Sequence, residues 1–154
     1  MSDQVCVISG VGPGTGSALA KRFAEGSYRV ALLARSESRL ASLEQELAGA
    51  KGYPCDVSDP DQVERAAAAI ERDLGHPSVL IHNAVGGAFG TFREIDPAIL
   101  NRNFQVNTMG LLYLARRLDE GAVQGAARRV LHQASGDCGR GLAHCASGSQ
   151  RLVV

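Results

Sequence analysis

Short unbroken apolar runs alternate along this chain with longer stretches in which apolar residues recur every three or four positions. The first run, Val5-Cys6-Val7-Ile8, has no helical spacing and suits a strand buried on both faces of a sheet. Glycine fills four of the seven positions from Gly10 to Gly16, and the stretch from Ser17 to Ala24 then sets Leu19 and Phe23 on one helical stripe. The pattern predicts a second strand over Tyr28–Ala34, then a helix capped by Ser36 with Leu40, Leu43 and Leu47 on one face. A third strand follows from Ala50 to Val57. Ser58 or Asp59 caps the next helix, with Pro60 in its first turn and Val63, Ala67, Ile70 and Leu74 as its buried stripe. Val79–His82 reads as a fourth strand. Asp96-Pro97 marks another helix start, and the longest helical pattern runs from about Asn103 to Leu118 through Phe104, Asn107, Leu111, Leu114 and Leu118. Such alternation predicts one α/β domain, a doubly wound parallel sheet with right-handed crossovers and helices on both faces.

The segment from Val5 to Gly16 organises the rest. A strand, a glycine turn and a helix start, in that order, are what a dinucleotide phosphate requires. The glycines let the backbone turn tightly and approach a pyrophosphate, and the helix start offers unpaired N–H groups and its positive dipole end.

Gly10, Gly14 and Gly16, preceded by the hydroxyl residue Ser9, read G-x-x-x-G-x-G and resemble the signature of the short-chain dehydrogenase/reductase family. Three further matches follow in the same order. Cys55-Asp56-Val57 ends the third strand, Asn83-Ala84 follows the fourth, and Asn107-Thr108-Met109-Gly110 lies in the long helix. The resemblance implies a Rossmann-type sheet in strand order 3-2-1-4-5 and hydride transfer between NADP(H) and a small carbonyl or alcohol substrate. It implies that Gly10, Gly14 and Gly16 position the pyrophosphate, that Ser9 and Thr15 beside them also bind the cofactor, and that Asp56 and Val57 meet the adenine. Asn83 and Ala84 border the nicotinamide half. Asn107 and Ser135 belong to the catalytic proton relay.

The second strand ends Ala34-Arg35-Ser36, with no acid at the tip to accept from a ribose 2′-hydroxyl. Arg35, with Ser36, therefore points to NADP over NAD, although Pro13 stands where many NADP-preferring relatives carry a second cation. The departures from the family pattern are His82 before Asn83 and Val85 where glycine is usual.

The composition adds limits. Across 154 residues, 45% are hydrophobic, and sixteen basic residues balance sixteen acidic ones, so no strong field for nucleic acid or an anionic membrane is expected. Fourteen of the basic residues are arginine; lysine occurs only at Lys21 and Lys51. No apolar run approaches the ~20 residues of a membrane span. Met1–Gln4 leads straight into the first strand, so no signal peptide and a cytoplasmic location are expected. Cys6 and Cys55 fall in strands and read as buried thiols. Cys138, His144 and Cys145 lack paired metal-ligand spacing, so no metal is expected.

From Asp119 the pattern weakens. Val130–Ser135 reads as a fifth strand ending on a serine, as the family's does. The family then needs a tyrosine with a lysine four residues later, as proton donor and as the cation that lowers its pKa. No tyrosine, lysine or other aromatic residue follows Ser135. Tyr113 and Arg117 have the spacing but precede the serine, and arginine does not replace lysine as a tunable neighbour. These departures lead to the expectation of a truncated or frame-shifted dehydrogenase. The alternative is a non-catalytic dinucleotide-binding module or fragment. An open fifth strand and an unpartnered long helix would also favour self-association.

Overall fold

The computed structural model describes residues 4–119 and the backbone of Leu152–Val153. Its sheet is parallel. Strand β1 (Val5–Ser9) sits at the centre, between β2 (Arg29–Ala34) and β4 (Pro77–His82), and β3 (Ala50–Pro54) lies outside β2. All five residues of β1 are fully buried, which is why its sequence is an unbroken apolar run closed by a single serine.

Alternate residues of β1 feed two cores. Cys6 and Ile8 meet Val30 and Leu32 under α1 (Thr15–Glu25) and α2 (Glu37–Glu46), where Leu40 and Leu43 are buried and Leu19, Phe23 and Leu47 pack partly. Val5 and Val7 meet Ala31 and Leu33 on the other face, under Val63, Ala67 and Ile70 of α3 (Pro60–Asp73) and under Leu114 and Leu118. Each fully buried Ile8, Leu32 or Leu33 contributes roughly 1.5–3 kcal/mol relative to exposure. The cysteines expected to be buried are so. Both are free thiols, and burial pushes Cys6 up to about 12 and Cys55 up to about 11.

The register decides where the site lies. Ser9 is level with Leu33 on one side and His82 on the other, and Ala34 is level with Pro54. The turns after Ser9, Ala34, Pro54 and His82 therefore open on one edge, the carboxyl edge of the sheet.

Two expectations are corrected. The sequence pattern divides a helix start at Asp96-Pro97 from a long helix beginning near Asn103. The structure instead runs α4 (Pro97–Phe104) through a π-helical turn (Gln105–Met109) directly into α5 (110–119). Asp96 caps the start, accepting from Ala98 N at 2.8 Å. A π turn inserts about one residue and rotates the apolar stripe by roughly 100°. Phe104 thus stands 52% exposed, while Leu114 and Leu118 further on are buried.

The place beside β4 also differs. Over Val79 and Leu80 it is held by Leu152–Val153, here β5, giving the order β3-β2-β1-β4-β5. The pattern assigns that place to Val130–Ser135, which lies outside the described residues. A sheet edge asks only for backbone groups in register, and a two-residue run is too short to stand out in a sequence. Among the described residues no helix is long and apolar enough to cross a membrane.

Candidate dinucleotide site

Gly10 begins the turn with φ +82°, donating its N–H to Leu33 O at 2.8 Å, and Gly12 N returns to Gly10 O at 2.9 Å. A Cβ on Gly10 would overlap the backbone of Asn83 and Ala84, and one on Gly16 would overlap Gly10 O. These two glycines are needed for packing. Gly12 and Gly14 are different, since a Cβ on either would meet nothing within 4 Å. Gly14, at φ +128°, is the N-cap of α1 and makes no side-chain cap, so no cap side chain takes up the first N–H groups of the helix, and the space above Gly12 and Gly14 is open. Thr15 is the first, exposed residue of that helix. Open backbone of this kind fits a diphosphate, because its donors point where an anion would sit.

The second strand delivers Arg35 to the same edge, exposed, with Ser36 capping α2 by accepting from Arg39 N at 3.4 Å. Asp56, after β3, accepts from Ser58 N at 3.0 Å and from the Ser58 hydroxyl at 2.6 Å. The Ser58 hydroxyl is the main reason that the Asp56 carboxyl is held below the usual carboxylate range, with the Arg35 and Arg102 charges helping. Val57 is buried against Gly110, where a Cβ would fall 2.9 Å from Val57 Cγ2. The glycine of Asn-x-x-Gly thus lets the long helix rest on the strand-end loop that carries Asp56.

Asn83 ties the glycine turn to β4. Its Nδ2 donates to Gly10 O at 2.8 Å and its backbone N–H to Ser9 O at 2.9 Å. Asn107 closes the neighbouring loop from the π turn, accepting from Gly86 N at 2.7 Å and donating to Gly86 O at 3.1 Å. Its amide is exposed rather than buried in an apolar stripe, because the π turn moves it off that stripe. Ser135 lies outside the described residues.

Ser9 is placed otherwise than a cofactor contact would be. Its residue is fully buried and its hydroxyl lies 2.8 Å from His82 Nδ1, so it supports the turn from beneath. The opposite nitrogen, His82 Nε2, is 3.1 Å from Val106 O in the π turn. A carbonyl only accepts, so Nε2 carries the proton and Nδ1 accepts from Ser9. His82 thereby links β1, β4 and the long helix. Nothing in the sequence signalled this three-way tie beyond a histidine at a strand end.

Burial pushes the His82 pKa below the ordinary value of 6.5, outweighing the bond to Val106. Above that value His82 is neutral in both folded and unfolded chains and costs nothing. As the pH falls through it, the unfolded chain takes up the proton first, and stability is lost until the lower folded pKa is passed. The melting temperature is therefore expected to fall as the pH drops through the ordinary value of 6.5, and His82→Asn to flatten that decline. An equal slope in the variant would assign the decline to other groups.

Tyr113 and Arg117 serve packing. Arg117 grips Glu64 at 2.6 Å and Glu71 at 3.0 Å, fastening α5 to α3. Among the described residues no group of three His, Cys, Asp or Glu side chains is placed to hold a metal ion.

The model for "short chain dehydrogenase" matches residues 4–147. An uncharacterized oxidoreductase of Caenorhabditis elegans is 30% identical over 130 residues, 80% of this chain and 42% of its own. A crystal structure of an actinorhodin polyketide ketoreductase variant with NADPH is 26% identical, with a TM-score of 0.72 over 75% of this chain and 46% of that one. NAD+-bound xylitol dehydrogenase is 27% identical, with a TM-score of 0.72 over 77% and 47%. The chain spans about half the length of the curated relatives it matches. With the glycine turn, the sheet order and this family match in agreement, the chain belongs to the short-chain dehydrogenase/reductase family.

Proposed function

We propose that these 154 residues bind NADP(H) for hydride transfer between the dinucleotide and a small carbonyl or alcohol substrate. The observation that carries this reading is the open, uncapped start of α1 above Gly12 and Gly14, on the carboxyl edge of a central strand. Gly10, Gly14, Thr15 and Gly16 let the backbone approach the pyrophosphate. Arg35 and Ser36 face the adenosine ribose and its 2′-phosphate, and Asp56 with the Val57 backbone holds the adenine. Asn83 and Ala84 border the nicotinamide half. The bound nicotinamide supplies the hydride chemistry. Asn107 fixes the Gly86 loop beside it and, with Ser135, forms part of a proton relay.

The chain carries no Tyr-x-x-x-Lys sequence. That observation favours a second reading for these residues taken alone, a dinucleotide-binding module without turnover. Fluorescence titration with NADPH, beside NADPH oxidation with a panel of carbonyls, tests both. Saturable binding is expected on both readings, and turnover above background on the first alone. Absence of binding to a cooperatively melting chain would overturn the whole reading, and turnover would overturn the module.

Self-association belongs to the same proposal. Phe104 and Leu112 on the long helix are 52% and 45% exposed, and Ile99 and Leu100 add apolar surface. Because β5 covers part of the β4 edge, the helix face is the stronger candidate for a second copy. Light scattering over a concentration series is expected to show mass rising above that of one chain. A constant monomer mass would remove this part of the proposal.

A further inference from the structure

We infer that Arg39 supplies the second cation for the 2′-phosphate, in place of the one absent at Pro13. This inference rests on the NADP(H) reading above. Arg39 lies on the first turn of α2, yet its guanidinium crosses to α1, where Nη2 donates to Ser17 Oγ at 3.0 Å. Ser17 Oγ in turn donates to Gly12 O at 2.7 Å, so the cation is built onto the glycine turn itself. Its Nε is buried with no hydrogen-bond partner, and among the described residues no carboxylate pairs with the side chain. Arg72 and Arg117 instead have carboxylates beside them. A half-buried, uncompensated guanidinium is costly unless an anion completes it. Arg35 follows the strand at the same edge, so Arg35 and Arg39 would flank one phosphate between β2 and the turn. In the free protein Ser17 holds Arg39 in place. That arrangement reduces the side-chain freedom lost on binding.

The test compares Arg39→Gln with the parent by calorimetric titration of NADPH, NADH, adenosine 2′,5′-bisphosphate and 5′-AMP, with a thermal melt of each protein. NADPH and the bisphosphate are expected to weaken roughly tenfold or more, while NADH and 5′-AMP change less than about twofold. Arg39→Lys should restore part of the loss. Equal weakening of all four ligands, with a lower melting temperature, would make Arg39 only a clasp between α1 and α2 and overturn the inference. A parent that prefers NADPH, with an unchanged Arg39→Gln, would overturn it and leave the NADP(H) reading standing. A parent that binds NADPH and NADH equally would overturn both.

Discussion

Gly10→Ala is expected to lower the unfolding free energy by roughly 2–5 kcal/mol and to remove dinucleotide binding with it. Two costs add. A side chain at φ +82° pays about 1–2 kcal/mol for the left-handed conformation. Its Cβ would also overlap Ala84 N and approach Ala84 Cα and the Asn83 carbonyl carbon, all backbone, so nothing flexible can give way. Such overpacking typically costs 1–3 kcal/mol. For a chain of this length the melting temperature should drop by roughly 4–20 °C. Gly12→Ala is the control, because its Cβ meets open space and no left-handed angle is involved. Its stability should stay within about 0.5 kcal/mol of the parent. A Gly10→Ala protein that melts with the parent would show that the turn and the Asn83-Ala84 loop are not in close contact.

The same contact explains why so much of the fold could be read from residues. Burial on both faces forces an unbroken apolar run, so β1 was legible and its central place followed. The stripes of α1, α2 and α3 were legible because one side of each faces a sheet and the other faces water. A cap at Ser58 or Asp59 was legible, and the structure makes it Asp59, which accepts from Asp61 N and Gln62 N. What escaped is what periodicity assumes away. A constant 3.6-residue repeat cannot register the π turn at Gln105–Met109, so Phe104 was assigned to the buried stripe and stands exposed.

The candidate site was legible in part for a similar reason. Glycines advertise where backbones approach, and Gly10, Gly16 and Gly110 each have a backbone or Val57 where a Cβ would go. Sequence does not say which way a polar side chain turns. Ser9 looked like a cofactor contact from its place before Gly10, whereas it turns into the sheet to meet His82. Arg39, 22 residues from Ser17 along the chain, gave no sign that its guanidinium reaches the glycine turn.

Arg35→Asp tests the choice of cofactor most directly. Arg35 is exposed beyond the last residue of β2 and close enough to Asp56 for its charge to lower that carboxyl. Under the proposed function it meets the 2′-phosphate, and a charge-assisted bond of that kind is worth roughly 1.5–3 kcal/mol. Replacing it by aspartate removes the bond and sets a negative charge against a phosphate. NADPH affinity should therefore fall about ten- to a hundredfold or more. NADH carries a 2′-hydroxyl instead, which a carboxylate at this tip can accept from, so its affinity should hold or rise. The substitution is exposed and buries nothing, so the melting temperature of the free chain should hardly move. Arg39 remains in the variant, so part of the NADPH affinity should survive and be lost only in the double variant with Arg39→Gln. NADPH affinity that does not change in the variant, or a parent that binds NADPH and NADH equally, would return Arg35 to the ordinary charged surface.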